Sequence, residues 1–153
     1  MSITKVGVVG AGTMGNGIAQ AFAVAGMDVV MMDVAEAQVK RGLDTIGASL
    51  DRLVKKEKMS AEQKAAAMAH IGTATALSAL ADCDLVIEAA TENVNLKLKI
   101  FAELDALTKP EAILASNTSS ISITRLAAST QRPAQFIGMH FFNPVPLMAL
   151  LEL

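Results

Sequence analysis

Short apolar runs alternate along the chain with segments of helical composition. The first run, residues 3–9, is rich in β-branched side chains and meets a glycine cluster at Gly10, after which residues 14–25 are rich in helix formers. A second apolar run lies between acids at residues 28–33, and Gly26 before it suits the end of a helix. The pattern predicts a strand, a turn, a helix and a second strand, which together make one βαβ unit.

Residues 35–58 carry apolar side chains at alternating spacings of four and three, which predicts a long helix with one apolar stripe. The stripe consists of Val39, Leu43, Ile46, Leu50 and Leu53. Ser60 and Gln63 form a capping-box pattern that opens another helix through His70. We therefore expect residues 35–70 to form a helical hairpin that protrudes from the sheet.

The second half of the chain continues the alternation of strands and helices. Strands are predicted at residues 71–77, 84–89, 112–115 and 136–142, with helices from Val94 to the residues before Pro110 and at residues 122–128. Such alternation favours a mainly parallel, doubly wound sheet of the α/β class. Residues 147–153 predict one more strand. Since no cap, turn or polar tail follows it, we expect the natural protein to continue beyond Leu153.

The composition excludes several classes of protein. With 153 residues, 52% of them hydrophobic and 18% charged, the chain is one globular domain and is not disordered. A net charge of −2 argues against nucleic acid as a partner. No apolar run approaches the ~18 residues of a membrane span, and the N-terminal residues lack the features of a secretory signal. The one cysteine, Cys83, predicts a buried thiol, so we expect a cytoplasmic protein that does not bind membranes.

A glycine motif joins the first strand to the first helix. Its pattern is G-x-G-x-x-G, and the expected cofactor contacts within it are Gly10, Gly12, Thr13, Met14 and Gly15. The glycines allow a tight turn and close approach of the backbone to a pyrophosphate, which then faces a helix N-terminus. Asp33 ends the second strand, near the ~20-residue offset expected of an acid that binds a ribose 2′-hydroxyl. No Arg follows Asp33, so the motif predicts a Rossmann-type domain that binds NAD rather than NADP.

Polar residues also follow the later strands, at the sheet edge where open α/β folds bind ligands. They lie at residues 90–93, 116–120 and 140–146. His140 stands in an apolar segment, where a histidine is more often a packed residue than a base. Glu152, on the next segment, would fix the imidazole tautomer if the two side chains touch, as a general base requires. The residues alone leave both interpretations open, and they predict no metal site.

Taken together, these segments resemble a known family. The resemblance rests on Ser-Asn-Thr-Ser-Ser at 116–120, His-Phe-Phe-Asn-Pro-Val-Pro at 140–146, Glu152, the glycine motif, and Ile-Glu-Ala-Ala-Thr-Glu-Asn at 87–93. The whole chain is similar to the NAD-binding domain of the 3-hydroxyacyl-CoA dehydrogenase family. The resemblance implies an oxidoreductase that interconverts 3-hydroxyacyl-CoA, 3-hydroxybutyryl-CoA first of all, and 3-oxoacyl-CoA by hydride transfer to or from NAD.

The resemblance also implies roles for individual residues. His140 would be the catalytic base, with Glu152 as its partner and Ser119 as the hydroxyl that holds the substrate C3 oxygen. The residues bordering the nicotinamide half of the cofactor would be Glu92, Lys97, Ser119 and Asn143, with Gln38 near the adenine ribose. Ser49 and Lys56, on the hairpin, would lie beside coenzyme A, and Ser119 would contact the substrate.

A second, mostly helical domain is a further implication of the resemblance. It would follow the NAD-binding domain of residues 1–153, complete the substrate pocket and carry much of a homodimer interface, so we expect little activity from these residues alone. One alternative is an NAD-dependent dehydrogenase of another β-hydroxy acid, in which Arg52, Lys55, Lys56 and Lys58 are only a solvated helix face. The other is a catalytically silent NAD-binding module in which Ser119 and His140 are packing residues.

Overall fold

Six parallel strands form the main sheet, and helices cover both of its faces. The computed structural model describes residues 2–118, 121–141 and 151–152, the last two by their backbone alone. In chain order the elements are β1 Lys5–Val9, α1 Thr13–Val24, β2 Asp28–Met32, α2 Glu36–Lys55, α3 Ala61–Ala69, β3 Ile71–Ala74, β4 Leu85–Glu88, α4 Val94–Leu107, β5 Ile113–Ser116, α5 Ile123–Ala128, β6 Phe136–Gly138, β7 His140–Phe141 and β8 Leu151–Glu152.

The strand order of the main sheet is β3-β2-β1-β4-β5-β6, with every neighbouring pair parallel. This is the doubly wound order of dinucleotide-binding domains, in which the direction of winding reverses beside β1. Helices α1, α2 and α3 bury their apolar side chains on one face, and α4 and α5 bury theirs on the other. The predicted Rossmann-type fold is confirmed.

The predicted helical hairpin is formed by α2 and α3. Val39, Ile46 and Leu50 of the apolar stripe are buried, and Leu43 and Leu53 are partly buried against the same core. The Ser60 hydroxyl accepts a hydrogen bond from the Gln63 N–H (3.0 Å), and the Gln63 side chain accepts one from the Ser60 N–H (2.8 Å). The capping box is therefore present as the sequence predicts.

The predicted sixth strand at residues 136–142 is wrong as one element. β6 ends at Gly138, the Met139 N–H donates to the Ser116 carbonyl (3.0 Å), and β7 begins a separate sheet with β8. In that antiparallel pair, His140 stands opposite Glu152. The change of sheet follows from β8, because it gives β7 a hydrogen-bonding partner away from the edge of the main sheet. Residues 142, 147–150 and 153 of the two predicted strands lie outside the described residues.

The structure also locates the smaller features that the sequence predicts. Cys83 is buried, and burial raises the pKa of its thiol to about 11. The predicted strand at residues 71–77 ends at Ala74, and a short 3₁₀ helix follows at Leu77–Leu80. Of the helices in the described part of the chain, none is long and apolar enough to cross a membrane.

A nearly buried carboxylate, Asp84, ties the amino ends of β1 and β4 together. It accepts hydrogen bonds from the N–H groups of Thr4 (2.9 Å) and Lys5 (3.1 Å), and it forms an ion pair with Lys109. The Lys109 ammonium and these N–H groups hold the pKa of the Asp84 carboxyl well below its usual range. The charged form of Asp84 therefore stabilises the fold.

We expect Asp84→Asn to lower the free energy of unfolding by about 1–3 kcal/mol near pH 7, because hydrogen bonds to a charged acceptor are lost. Since the folded pKa is depressed, this stabilisation is complete above the unfolded pKa of about 4 and is lost as the pH falls through the lower folded value. Urea unfolding should therefore show the difference between the two proteins shrinking progressively as the pH falls below about 4. Asp82→Asn, at a carboxylate 70% exposed in its ion pair with Lys5, should have a smaller effect. A difference independent of pH would contradict this role for the charge.

Candidate functional site

Two glycines of the motif are required by close packing, and the third has room for a small side chain. Gly10 has φ +109°, and an added Cβ there would lie 2.8 Å from the Ala89 carbonyl oxygen. An added Cβ at Gly15 would lie 1.9 Å from the Gly10 carbonyl oxygen. At Gly12 the nearest atom to an added Cβ is Nε2 of Gln38, at 3.6 Å. A methyl group at Gly12 would therefore make only an ordinary van der Waals contact, so packing within the chain does not itself require glycine there.

Helix α1 presents its N-terminus at this turn. Gly12 occupies the N-cap position, and the first bond of the helix runs from the Asn16 N–H to the Gly12 carbonyl (2.9 Å). The N–H groups of Thr13, Met14 and Gly15 precede that bond, so they have no partner within the helix. Together with the positive end of the helix dipole, they suit a phosphate.

Asp33 directly follows β2 and holds the glycine turn. Its Oδ2 accepts a hydrogen bond from the Ala11 N–H (3.0 Å), and its Oδ1 accepts one from the Ala35 N–H (3.2 Å). A carboxylate has about four lone-pair positions, so Asp33 can accept ribose hydroxyls as well. The bond to Ala11 is a role that the sequence did not reveal.

A cavity of 370 Å³ opens beside Asp33. Its apolar lining includes Val34, Leu77, Leu96 and Ile100. Val34 is 83% exposed and Leu96 is 46% exposed, so apolar side chains contribute to the open rim of the cavity. Such a cavity suits a flat aromatic base next to a ribose on Asp33.

A second cavity, of 210 Å³, lies at the carboxyl ends of β4 and β5. Met14, Glu92 and Lys97, three of the predicted cofactor contacts, line it together with Asn117. Ala90 lines both cavities, so the two adjoin. The arrangement suits a ligand with two lobes joined across the N-terminus of α1.

Lys97 is paired with a buried carboxylate that the sequence analysis missed. Its ammonium contacts Oε1 of Glu88, and the side chains of Lys97 and Glu88 are 1% and 0% exposed. The same Oε1 accepts a hydrogen bond from the Ser116 hydroxyl (2.9 Å), while Oε2 accepts from the N–H groups of Ala90 (2.8 Å) and Thr91 (3.3 Å). An acid at the end of the apolar strand Leu85–Glu88 was the available signal.

His140 is held at the same edge of the sheet through its neighbours. Oδ1 of Asn117, in the loop after β5, accepts a hydrogen bond from the Phe141 N–H (2.9 Å). Asn117 also donates its own N–H to the Glu88 carbonyl (2.9 Å). His140 itself is half-buried. Asn117 is thus a second positioning residue that sequence reasoning missed, because its partner is a backbone group far along the chain.

The other predicted site residues are spread along the hairpin or lie outside the described residues. Gln38 lies near Gly12. Ser49 is half-buried in the middle of α2, and Lys56 is exposed at the end of that helix. At a rise of about 1.5 Å per residue, Lys56 is about 27 Å along the helix from Gln38. Ser119 and Asn143 lie outside the described residues, as does the side chain of Glu152. Among the described residues, no group of three or more His, Cys, Asp or Glu is arranged to hold a metal ion.

The fold and the glycine turn define a Rossmann-type dinucleotide-binding domain. Residues 5–153 match the family described as 3-hydroxyacyl-CoA dehydrogenase, NAD binding domain, and the chain belongs to that family. The prediction of NAD as the cofactor is confirmed at the level of the family.

Individual relatives agree with this assignment. The 3-hydroxybutyryl-CoA dehydrogenase of Bradyrhizobium diazoefficiens is 59% identical over 99% of this chain and 52% of its own length. That of Mycobacterium tuberculosis is 47% identical over 99% of this chain and 54% of its own length. The solved structure of (S)-3-hydroxybutyryl-CoA dehydrogenase from Ralstonia eutropha has a TM-score of 0.96 at 59% identity, covering 98% of this chain and 53% of that protein. The chain therefore spans about half the length of the curated relatives it matches.

We expect Gly12→Ala and Gly15→Ala to separate ligand binding from folding. Gly12→Ala has room for its methyl group and should leave the melting temperature nearly unchanged, but it should weaken NADH binding at least about tenfold by meeting the pyrophosphate. Gly15→Ala should destabilise the fold by about 3 kcal/mol, because its methyl group would overlap the Gly10 carbonyl. Thermal unfolding and fluorescence titration with NADH measure the two effects. Unchanged NADH affinity in a folded Gly12→Ala variant would contradict the assignment of the site.

Proposed function

We propose that this chain is the NAD-binding part of an NAD-dependent 3-hydroxyacyl-CoA dehydrogenase that interconverts 3-hydroxybutyryl-CoA and acetoacetyl-CoA. The observation that carries the proposal is the place of His140, on a strand that Asn117 tethers beside the cavity at the ends of β4 and β5. The names of the relatives support the substrate class. Oxidation of the C3 alcohol needs a base at this place, because the hydroxyl proton must leave as the hydride departs.

The proposed chemistry assigns proton transfer to the chain and hydride transfer to the cofactor. NAD, when bound, would accept the C3 hydride at its nicotinamide ring. His140 takes the hydroxyl proton in oxidation and returns it in reduction, a task that imidazole performs well near neutral pH. Glu152 orients the imidazole, and the register of β7 and β8 supports this, since residues opposite each other share one face of the ladder. Ser119 holds the C3 oxygen.

The cofactor is proposed to lie across the two adjoining cavities. Asp33 and Gln38 bind the adenosine side, with the base in the cavity lined by Val34 and Leu96. The turn from Gly10 to Gly15 holds the pyrophosphate. The nicotinamide side is bordered by Glu92, Lys97, Ser119 and Asn143.

Coenzyme A is proposed to follow the hairpin. Lys56 is exposed at the end of α2 and can form a salt-sensitive contact with its phosphates, and Ser49 lies between Lys56 and the site. We further propose that a second, helical domain completes the substrate pocket, that the whole protein is a homodimer, and that it is cytoplasmic. The buried thiol of Cys83 fits a reducing compartment.

The chain should bind NADH at least about tenfold more tightly than NADPH, because a 2′-phosphate would face the Asp33 carboxylate. Asp33→Asn removes the charge but keeps an acceptor for the Ala11 N–H, so it should reduce the preference for NADH over NADPH while NADH still binds. Asp33→Ala removes both and should weaken both cofactors. Fluorescence titration of the three proteins with NADH and NADPH tests this. Equal affinities in the parent chain, or an unchanged preference in Asp33→Asn, would contradict the role of Asp33.

The reaction itself is tested by fusing the chain to the C-terminal half of the Bradyrhizobium relative and following NADH oxidation by acetoacetyl-CoA. We expect the chain alone to bind NADH but to turn over slower by orders of magnitude, because the thioester is not positioned. His140→Gln should lower kcat of the fusion by about 10²–10⁴-fold and leave the Kd for NADH nearly unchanged. His70→Gln, at the exposed histidine paired with Asp28, is the matched control and should change neither. A His140→Gln fusion that keeps its activity would contradict the role of His140 as the base and would favour a packing role for this residue.

A further inference from the structure

The end of β4 contains an ion pair that is withdrawn from water. Glu88 and Lys97 are the two charged side chains below 2% exposure among the described residues. Burial of two charges carries a large desolvation cost, and well-packed apolar residues often give equal or greater stability in such a position. Stability of the core is therefore a weak explanation for this pair, and its location suggests another one.

The Glu88 carboxylate receives four donors from three parts of the fold. Ser116 of β5 and Lys97 of α4 contact Oε1, and the N–H groups of Ala90 and Thr91 donate to Oε2. Two N–H groups of the loop after β4, those of Ala90 and Thr91, thus hold this loop to the Glu88 carboxylate. That loop, residues 89–93, forms much of the lining of the cavity proposed for the nicotinamide half.

The hydrogen bonds that hold the glycine turn and Asp33, proposed for the other half of the cofactor, do not involve this carboxylate. The Gly10 N–H donates to the Met32 carbonyl (2.7 Å), and Asp33 holds Ala11. Ala89 is fixed by its own bond to the Val9 carbonyl (2.8 Å). Loss of the Glu88 carboxylate would therefore remove the bonds that hold Ala90 and Thr91 and leave the bonds of the glycine turn in place.

We propose that Glu88 is a positioning residue for the nicotinamide half of the cofactor, acting through the loop of residues 89–93. Lys97 contacts the same carboxylate oxygen as the Ser116 hydroxyl, and through this contact it supports Glu88 in its place. The inference rests on the proposed NAD site and deepens it, since it assigns separate supports to the two halves of one ligand.

The test compares NADH with ADP-ribose, which lacks the nicotinamide ring. The main variant, Glu88→Leu with Lys97→Met, replaces the ion pair by an apolar pair and leaves Ala90 and Thr91 without their acceptor. Glu88→Gln keeps one acceptor oxygen and keeps Lys97, which itself borders the proposed nicotinamide side, so this variant tests Glu88 alone. The matched control is Asp51→Asn with Lys64→Gln, which removes the more exposed ion pair between α2 and α3. Calorimetric titration of each ligand and thermal unfolding of each protein give the readouts.

We expect the double variant to bind ADP-ribose within about twofold of the parent and to lose at least about tenfold in affinity for NADH. The NADH affinity of Glu88→Gln should lie between those of the parent and the double variant. The control should match the parent in its affinity for both ligands. The ratio of the two affinities measured with Glu88→Gln decides, because this variant retains Lys97. A parallel fall for both ligands, or no fall for NADH, would overturn the inference. Failure of the parent chain to bind NADH would instead overturn the proposed function.

Discussion

The close approach of three backbone segments at the glycine turn is the constraint on which the site depends. Gly15, in the first turn of α1, lies against the Gly10 carbonyl, and Gly10 lies against the Ala89 carbonyl after β4. A Cβ at either glycine would push these segments apart. Their contact fixes the N-terminus of α1 at the carboxyl edge of the sheet, beside Ala90, which lines both cavities. The position of the proposed anion site and of the two cavities follows from this one packing arrangement.

The strand order then decides which loops meet the turn. β1 has β2 and β4 as its neighbours, so Asp33 flanks the turn on one side and the loop after β4 flanks it on the other. β5 adjoins β4, and its loop carries Asn117, which reaches both the Glu88 carbonyl and the Phe141 N–H. The strand of His140 is thereby tied to the same edge without joining the main sheet. Cofactor loops and proposed base are positioned by one continuous set of hydrogen bonds.

Features with a local cause could be predicted from the sequence. The glycine motif, the apolar stripe of α2 and the capping box at Ser60 each depend on residues within a few positions of one another, and the structure contains all three. The partner of Lys97 could not be predicted, because the contact with Glu88 forms only when α4 packs across the end of β4. The break after Gly138 was hidden for a similar reason. Residues 136–142 are mostly apolar, so their sequence does not indicate that the chain leaves the main sheet after Gly138. The change to a second sheet depends on the pairing of β7 with β8, which lies ten residues further along the chain.

The charges of the site are compatible with an anionic cofactor because the carboxylates of Glu88, Glu92 and Asp33 accept hydrogen bonds from donors of the fold. Glu88 is matched by Lys97 and three further donors, and Glu92 accepts a hydrogen bond from the Thr118 hydroxyl (2.9 Å). Asp33 accepts hydrogen bonds from the Ala11 and Ala35 N–H groups, whose partial positive charges partly offset the charge of the carboxylate. The positive end of α1 therefore dominates where the pyrophosphate would lie. In the proposed binding mode a phosphate on the ribose 2′ position would meet Asp33 instead, so the carboxylate that orders the turn would also discriminate between the two dinucleotides.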